Sequence, residues 1–175
     1  MLNRTRVFSL LLAFSALAAL PRTAAAQQGP PEYQAKNTVY VEAGGNALIY
    51  SLNYERILFG GMTARAGAGV IPLGFPGVDD GGAALLIIPL QLSYLFGSGN
   101  HHLEVGAGAT FGTAGIDIGD LEGKENWSFA TGTLGYRYQR PGGGTVFRAG
   151  IAPMFLPVLD VDVWPMVGIS FGRSF

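Results

Sequence analysis

Apolar and polar residues alternate along much of the chain. Between positions 102 and 111, every odd-numbered residue is apolar and every even-numbered residue is polar or glycine. The same alternation runs through residues 50–55 and 167–172. A period of two indicates β-strands, because successive side chains of a strand point to opposite faces of the sheet. No segment shows the 3.6-residue period of an amphipathic helix, so the pattern predicts an all-β fold.

Clusters of Gly, Pro, Asn and Asp separate eight such segments. Their lengths are close to the 9–11 residues, roughly, that a tilted membrane-spanning strand needs. We therefore expect a closed, eight-stranded, antiparallel up-and-down transmembrane β-barrel. The predicted strands cover 38–46, 48–58, 62–73, 83–96, 100–112, 127–139, 145–156 and 163–175.

The connections between the predicted strands alternate in length. Short connections fall at 59–61, 97–99 and 140–144, and longer ones at 74–82, 113–126 and 157–162. This alternation is typical of outer-membrane barrels, which have short periplasmic turns and long external loops. The first connection, near Asn46, departs from the pattern, because an external loop is expected there and the connection is very short.

Sorting the strand residues by parity leaves one face largely apolar and places six charged residues on the other. Three acids and three bases cancel, which permits complete pairing. An unpaired buried charge costs several kcal/mol, so we expect a paired charge network in the barrel interior. Its predicted members are Glu42, Glu55, Arg65, Glu104, Arg137 and Arg148.

Composition decides which face meets the surroundings. The chain is 49% hydrophobic and only 13% charged, and its 27 glycines are spread through the predicted strands. A soluble barrel needs an exterior dense in Lys and Glu, whereas the predicted strands contain no Lys. The Gly-rich polar face is typical of a cramped barrel interior. A membrane barrel with its apolar face outward is favoured over a soluble, ligand-binding periplasmic barrel.

Composition also excludes several functional classes. A net charge of −1 with two lysines excludes a basic nucleic-acid binder. The absence of cysteine removes disulfide scaffolds, Cys-based metal sites and thiol catalysis. The apolar and aromatic content is too high for a disordered chain.

The N-terminal segment has the features of a secretory signal peptide. Arg4 and Arg6 precede an apolar stretch of residues 7–20, and three alanines end at Ala26. The apolar stretch is shorter than the ~20 residues that a membrane-spanning helix needs. We therefore predict a cleaved signal at 1–26, a flexible lead-in at 27–37 and a barrel domain at 38–175.

The last strand ends with an alternating pattern that leads to Phe175. In this feature the chain resembles the small eight-stranded outer-membrane barrels of the OmpA/OmpX-like superfamily. The resemblance implies that Ile169, Phe171 and Phe175 form a C-terminal signal for the barrel-assembly machinery, with periplasmic chaperones as earlier partners. Arg173 departs from the pattern, because an apolar or aromatic residue is usual there. Residues 46–56, 88–96 and 132–138 also resemble uncharacterised small barrels of Bacteroidota-type bacteria.

Candidates for chemistry are few. His101 and His102 adjoin Glu104, but neighbouring residues of a strand point to opposite faces, so the histidines form no chelating pair. The His-x-Ser pairing of deacylase-type barrels is absent. We expect no catalytic residue, no cofactor and no metal ligand. A lipid-modifying enzyme on the same scaffold remains an alternative, and a narrow channel is a weaker one.

The predicted connections on the external side are acidic, with Lys124 as their one base. They could bind divalent cations, although they lack the spacing of an EF-hand. At the opposite strand ends, Arg56, Arg140 and Arg173 could meet lipid phosphates. The acidic residues are Asp79, Asp80, Asp117, Asp120, Glu122, Glu125, Asp160 and Asp162.

Four prolines fall within predicted strands, where each deletes a donor from the ladder. A bulge could accommodate each of Pro72, Pro89, Pro153 and Pro165, and these residues argue against a perfectly regular barrel. Together the patterns predict an integral protein of the bacterial outer membrane that contacts its lipids and has a structural or surface-interaction role without catalysis.

Overall fold

Eight strands form a closed barrel. The computed structural model describes residues 32–73, 81–118, 121–155 and 163–175. Each strand pairs antiparallel with its neighbours in the chain, and the last strand pairs with the first. The strands are β1 (Asn37–Gly44), β2 (Tyr50–Phe59), β3 (Met62–Leu73), β4 (Gly81–Phe96), β5 (His101–Ile118), β6 (Leu121–Gln139), β7 (Gly144–Phe155) and β8 (Trp164–Ser174). The predicted closed all-β barrel is confirmed.

The only helical element in the described part of the chain is a single 3-10 turn, Gly45–Ala47, between β1 and β2. We call it the inward turn, because all three of its residues are buried. No helix among the described residues is long and apolar enough to cross a membrane.

The two barrel ends differ. Residues 32–36, Phe175 and the tight turns lie at one end, which we call the terminus end. The opposite end, called the loop end, carries the inward turn and the far end of the β5–β6 hairpin.

The signal at 1–26 lies outside the described residues, so its cleavage remains a prediction.

The largest difference from the predicted elements lies at the loop end. Residues 113–126 were expected to form a loop, but the β5–β6 ladder continues from Thr113↔Asn126 to Ile118↔Leu121. This stretch mixes Gly, Asp, Glu and Lys, which favoured a loop, although residues 113–118 alternate between polar or glycine and apolar positions with the opposite parity from residues 102–111. β4 also pairs with β5 over this stretch, from Leu86↔Thr113 to Gly81↔Ile118, so β5 is extended by backbone pairing with both neighbouring strands.

Polar and apolar side chains occupy the opposite positions from those of a soluble protein. Among the described residues, 19 polar or charged residues are buried, against 12 hydrophobic ones, while 27 large hydrophobic side chains are exposed. Leu52 is 59% exposed and Ile169 is 54% exposed, whereas Glu55 and Arg137 are fully buried. The outer wall is therefore apolar and the lumen is polar.

The exposed side chains on the outer wall form bands. An aliphatic band that includes Val41, Leu52, Leu134 and Ile169 runs around the middle. Aromatic side chains lie toward both ends of the strands. Those toward the terminus end are Tyr54, Phe59, Tyr94, Phe96, Tyr136, Phe147, Phe171 and Phe175, and those toward the loop end are Tyr50, Phe111, Phe155 and Trp164. Such paired aromatic girdles are typical of membrane barrels.

Pro89 and Pro153 interrupt their ladders without a bulge. The β3–β4 register is the same at Ala66↔Leu90 and Gly69↔Ile87, and only the residue pairs between these two positions are missing. The β6–β7 ladder has a similar gap around Pro153. Each proline ring lies against a glycine of the neighbouring strand, Gly67 or Gly132. A facing glycine gives the ring the room that a bulge would otherwise have to provide.

Pro72 and Pro165 also pair in regular register. The one register shift among the described ladders lies in β2–β3, between Ile57 and Phe59.

The pairing of Pro153 with Gly132 gives a testable double mutant. A Cβ at Gly132 would lie 3.0 Å from the Pro153 ring and no closer than 3.5 Å to any other atom. We expect Gly132→Ala to lower the free energy of unfolding by about 1–2 kcal/mol through overpacking. In the Pro153→Ala background the same change should cost nothing. Urea unfolding of the detergent-folded protein measures both, and an equal cost in the two backgrounds would contradict the pairing.

Candidate functional site in the barrel lumen

The structure places all six charged residues of the predicted network inside the barrel. Each comes from a different strand, and each is at most 6% exposed. Their strand neighbours at i±1 include the exposed residues Val41, Tyr54 and Leu103. Parity along the strands therefore decides which face carries the charges. The six members are Glu42 on β1, Glu55 on β2, Arg65 on β3, Glu104 on β5, Arg137 on β6 and Arg148 on β7.

Four of the six charges form a continuous chain of ion pairs. Arg148 binds Glu104 through two nitrogens, Nε at 2.8 Å and Nη2 at 2.5 Å. Arg137 Nη1 lies 2.5 Å from Glu55 Oε1 and 3.6 Å from Glu104 Oε2. Arg137 is also hydrogen-bonded to Gln139. Glu104 is thus shared by two arginines, and Arg137 by two carboxylates.

The remaining pair is joined to this chain by a tyrosine. Arg65 Nη1 donates to Glu42 Oε2 at 2.8 Å and lies 3.2 Å from the Tyr40 hydroxyl. The Arg148 guanidinium lies over the Tyr40 ring, 4.7 Å from its centre. Tyr40 is 1% exposed and was not predicted as a site residue. The signal that identifies it is its parity, since it precedes Glu42 by two positions on the same strand.

A glycine row makes room inside the barrel beside this network. Gly135, Gly150, Gly168 and Gly44 are consecutive partners across β6, β7, β8 and β1. A Cβ at Gly168 would lie 2.9 Å from Gly45 Cα, so the inward turn fits only against a bare backbone. Next to it lies a cavity with room for about two water molecules, lined in part by Glu42, Glu104, Thr133, Arg148 and Ser170.

The short first connection folds into the lumen and partly fills it. Gly44 and Gly45 have φ of 71° and 62°, in the left-handed region that glycine adopts without strain. The turn buries Asn46 completely. Its backbone N–H donates to Glu42 Oε1 at 3.2 Å, and its carbonyl accepts from Thr110 Oγ1 at 2.8 Å. The connection that was unexpectedly short for an external loop is therefore a lumenal plug.

The side chain of Asn46 connects this plug to the network and to a ladder gap. In the amide orientation that satisfies both ends, Oδ1 accepts from Arg65 Nη2 at 2.6 Å and Nδ2 donates to the Gly132 carbonyl at 3.0 Å. Gly132 faces Pro153, which has no N–H to offer. The side chain from the lumen supplies a donor where the neighbouring strand cannot. Ala47, Ile71 and Ile87 form an apolar cluster toward the loop end of the plug.

Residues 32–36 close the terminus end. Tyr33 is 3% exposed and packs with Ile57 and Leu95, and its hydroxyl lies 3.3 Å from a ring nitrogen of His102. The backbone N–H groups of Gln34 and Ala35 both donate to the Pro141 carbonyl at 3.0 Å. Residues 27–37 were expected to form a flexible lead-in, but residues 32–36 are docked and β1 already begins at Asn37. The physical reason is that Tyr33 fills the barrel mouth. Residues 27–31 lie outside the described residues.

Burial raises the pKa of Tyr33 to about 12, although nearby Arg137 partly opposes this effect. The docked segment therefore binds the neutral phenol. A raised pKa means that the contribution to stability is complete below the ordinary value near 10 and is lost as the pH rises through about 12.

The two histidines lie on opposite faces, so the structure does not bring them together. His102 is 2% exposed and faces Tyr33. His101 is exposed, with Nδ1 2.7 Å from the Tyr136 hydroxyl. Among the described residues, no group of three His, Asp or Glu side chains is arranged to hold a metal ion.

The remaining predicted residues are divided between described and undescribed parts. Ile169, Phe171 and Phe175 are exposed on the outer wall. Glu125 is exposed, and Asp117 and Glu122 lie on the β5–β6 hairpin. Acidic residues outside the described ranges are Asp79, Asp80, Asp120, Asp160 and Asp162. Cation binding by the acidic connections remains a prediction.

Solved structures share this architecture. The N-terminal β-barrel domain of Pseudomonas aeruginosa OprF superposes with a TM-score of 0.57 at 20% identity, covering 81% of this chain and 100% of that one. This chain has the fold of the small outer-membrane barrels. Yersinia pestis Ail in complex with the heparin analogue sucrose octasulfate gives a TM-score of 0.53 at 12% identity, covering 79% and 96% of the two chains.

Neisserial surface protein A gives a TM-score of 0.51 at 13% identity, covering 79% of this chain and 93% of that one. No protein-family model matches the sequence, and no curated protein sequence matches it either. The predicted resemblance to small eight-stranded outer-membrane barrels is confirmed at the level of fold.

Because two arginines share the Glu104 carboxylate, its replacement by an uncharged side chain should lower the stability of the protein strongly. Glu104→Gln keeps the size of the side chain but leaves Arg148 and Arg137 with one carboxylate fewer. We expect the free energy of unfolding to fall by about 3–5 kcal/mol, because a buried charge loses its partner. The matched control is the exposed Glu125→Gln, which should be neutral within ~0.5 kcal/mol. Urea unfolding in detergent measures both, and equal effects would refute the central role of Glu104.

The docked Tyr33 predicts a distinctive alkaline titration. Its phenol should ionise near pH 12 rather than near 10, and residues 32–36 should undock in the same range. Absorbance at 295 nm, compared with that of Tyr33→Phe, isolates this tyrosine, and limited proteolysis of the N-terminal segment follows the undocking. Ionisation of Tyr33 near pH 10, with the segment still protected, would contradict the docking.

Proposed function

We propose that this chain is an integral β-barrel protein of a bacterial outer membrane with a structural or surface-interaction role and no catalytic one. The observation that carries the proposal is the inverted distribution of side chains: the exposed outer wall is aliphatic between two aromatic girdles, and the charges are paired in the lumen. Hydrocarbon is the environment that such a wall fits, and a closed barrel leaves no backbone edge unpaired in lipid.

The choice of membrane rests on two further observations. The neighbours in fold are outer-membrane proteins, and the chain begins with features of a secretory signal. The assembly machinery and periplasmic chaperones are the proposed partners in biogenesis, through the C-terminal residues Ile169, Phe171 and Phe175. Outer-membrane lipids are the proposed partners of the mature wall.

The filled lumen argues against a diffusion pore. The Tyr33 cluster lies at one end, the Asn46 plug lies toward the other, and the ion-pair chain occupies the space between them. The soluble ligand-binding alternative needs an apolar interior of ligand size, whereas the lumen formed by the described residues is polar and contains the ion-pair chain.

The surface partner proposed for this chain differs in charge from the ligand found with Ail. The heparin analogue in that complex is a polyanion. In this chain, the predicted external connections contain eight acidic residues and Lys124 alone. Repulsion of a polyanion is the expected result, so a proposed surface partner is cationic, or is bridged by divalent cations.

The enzymatic alternative requires a catalytic pair on the outer wall near the external leaflet. In the described residues, the exposed histidine is His101 at the terminus end, and its polar neighbour is Tyr136 rather than an acid or a serine. Mass spectra of lipid A from cells with and without the protein distinguish the two functions. A modified lipid A that depends on the protein would favour the enzyme.

The membrane placement predicts heat-modifiable migration. The detergent-purified protein should run at a different apparent mass before and after boiling, because a closed barrel resists detergent until heated. In cell fractionation it should remain with the outer membrane. A soluble periplasmic product without a gel shift would refute the proposal.

The filled lumen predicts the absence of discrete conductance. In planar bilayers, the folded protein should give no steps above the baseline at neutral pH, because the two plugs and the ion pairs leave no continuous aqueous path. A matched variant, Tyr33→Ala, opens only the terminus end and should also be silent. Regular single-channel steps from the unmodified protein would contradict a plugged interior.

A further inference from the structure

Charged side chains outside the lumen are divided between the two ends of the barrel. The terminus end carries four exposed basic residues, Lys36, Arg56, Arg140 and Arg173, and among the described residues there one exposed acidic residue, Glu32. The connections and hairpin at the loop end contain eight acidic residues and one lysine. Across the described outer wall between them, the aliphatic band contains no charged residue. The barrel is therefore strongly polarised along its axis.

One cluster at the terminus end combines a cation with three rings. His101 on β5 pairs with Tyr138 on β6, and their rings lie edge-on at 5.5 Å between centres. His101 Nδ1 is 2.7 Å from the Tyr136 hydroxyl. Arg140 Nε donates to the Tyr138 hydroxyl at 3.1 Å. Because that hydroxyl accepts from Arg140, its own proton remains available, as do the four Nη protons of the guanidinium group.

A second cluster on β1 and β2 has a similar composition. The Asn37 side-chain oxygen accepts from the Tyr54 hydroxyl at 2.7 Å and from Arg56 Nη1 at 3.2 Å. This one acceptor holds the arginine beside the tyrosine, and most of the guanidinium donors are left for another partner. All ion pairs found among the described residues lie in the lumen, so neither Arg56 nor Arg140 is neutralised by a described carboxylate.

These donors fit a phosphodiester. Its oxygens accept hydrogen bonds from guanidinium and phenol groups, and the charge-assisted contacts are the stronger ones. Tyrosine rings at the edge of an aliphatic band are typical of the depth at which headgroups lie. The acidic loop end offers no comparable cation cluster in its described residues. The complementarity is therefore confined to one leaflet.

We propose that the His101–Tyr136–Tyr138–Arg140 cluster and the Asn37–Tyr54–Arg56 cluster bind the phosphate groups of anionic glycerophospholipids at the terminus end. The inference rests on the proposed membrane placement and deepens it, because it names the lipid chemistry that the terminus end recognises. The polarised barrel is then oriented with its cationic end in the phospholipid leaflet.

Native mass spectrometry of the chain folded in a maltoside detergent tests this binding. The probes are phosphatidylglycerol, diacylglycerol with the same acyl chains, and inorganic phosphate. Phosphatidylglycerol should bind at two sites, whereas the other two probes should bind at least about tenfold more weakly. Each of Arg56→Gln and Arg140→Gln should weaken phosphatidylglycerol binding about fivefold. The matched control is Lys124→Gln at the loop end, which should leave binding unchanged.

Several outcomes would overturn the proposal. Equal binding of diacylglycerol would show that the acyl chains alone are recognised, and equal binding of inorganic phosphate would identify free-phosphate sites instead of lipid sites. Equal losses in Arg140→Gln and Lys124→Gln would show a non-specific charge effect. The gel shift on boiling is measured on the same samples. If it persists while lipid selectivity is absent, this inference fails and the membrane placement stands.

Discussion

The pairing of six charges inside a closed sheet is the constraint on which the rest of this structure depends. A barrel with an apolar outer wall has only its lumen for ionisable side chains, and there the cost of an isolated charge is several kcal/mol. Three carboxylates and three guanidinium groups meet that constraint with zero net charge. The shared Glu104 and Arg137 link β2, β5, β6 and β7, so the network ties together strands that are distant in the chain.

Filling the lumen requires the inward turn to approach the barrel wall closely. Glycines in the wall permit this approach, and the same turn compensates for a proline in the ladder. The glycine row across β6, β7, β8 and β1 lets the backbone of the inward turn approach the wall. The same turn brings Asn46 to the carbonyl that faces Pro153. A proline in a closed ladder is therefore tolerated where a facing glycine admits its ring and a lumenal side chain satisfies the freed carbonyl.

The polarity of the two ends connects this architecture to its proposed role. Basic residues outnumber the one described acidic residue, Glu32, at the terminus end, where tyrosines also lie, and acidic residues predominate in the connections of the loop end. An interior closed by paired charges and plugs leaves the outer wall and the ends as the surfaces that meet other molecules. In the proposed role, the functional chemistry of the barrel is the chemistry of its interfaces with lipid and with the exterior.

Much of this arrangement follows from local pattern. Alternation with a period of two determined the number of strands, their approximate bounds and the face on which Glu42, Glu55 and Arg148 lie, because side-chain direction in a strand depends only on parity. The same reasoning was sufficient to separate His101 from His102. It also identified the total of three acids and three bases, which is independent of any three-dimensional detail.

Only the tertiary structure determined which charged residues pair with one another. The sharing of Glu104 between Arg148 and Arg137, and the place of Tyr40 between two arginines, depend on the stagger at which eight strands close, and no single strand contains that information. The docking of Tyr33 and the burial of Asn46 were likewise unpredictable. The sequence pattern of a short polar segment predicts a loop, and only the closed barrel provides the lumen in which such a segment is buried. Local sequence sets the direction of each side chain, whereas closure of the sheet sets the distances between them.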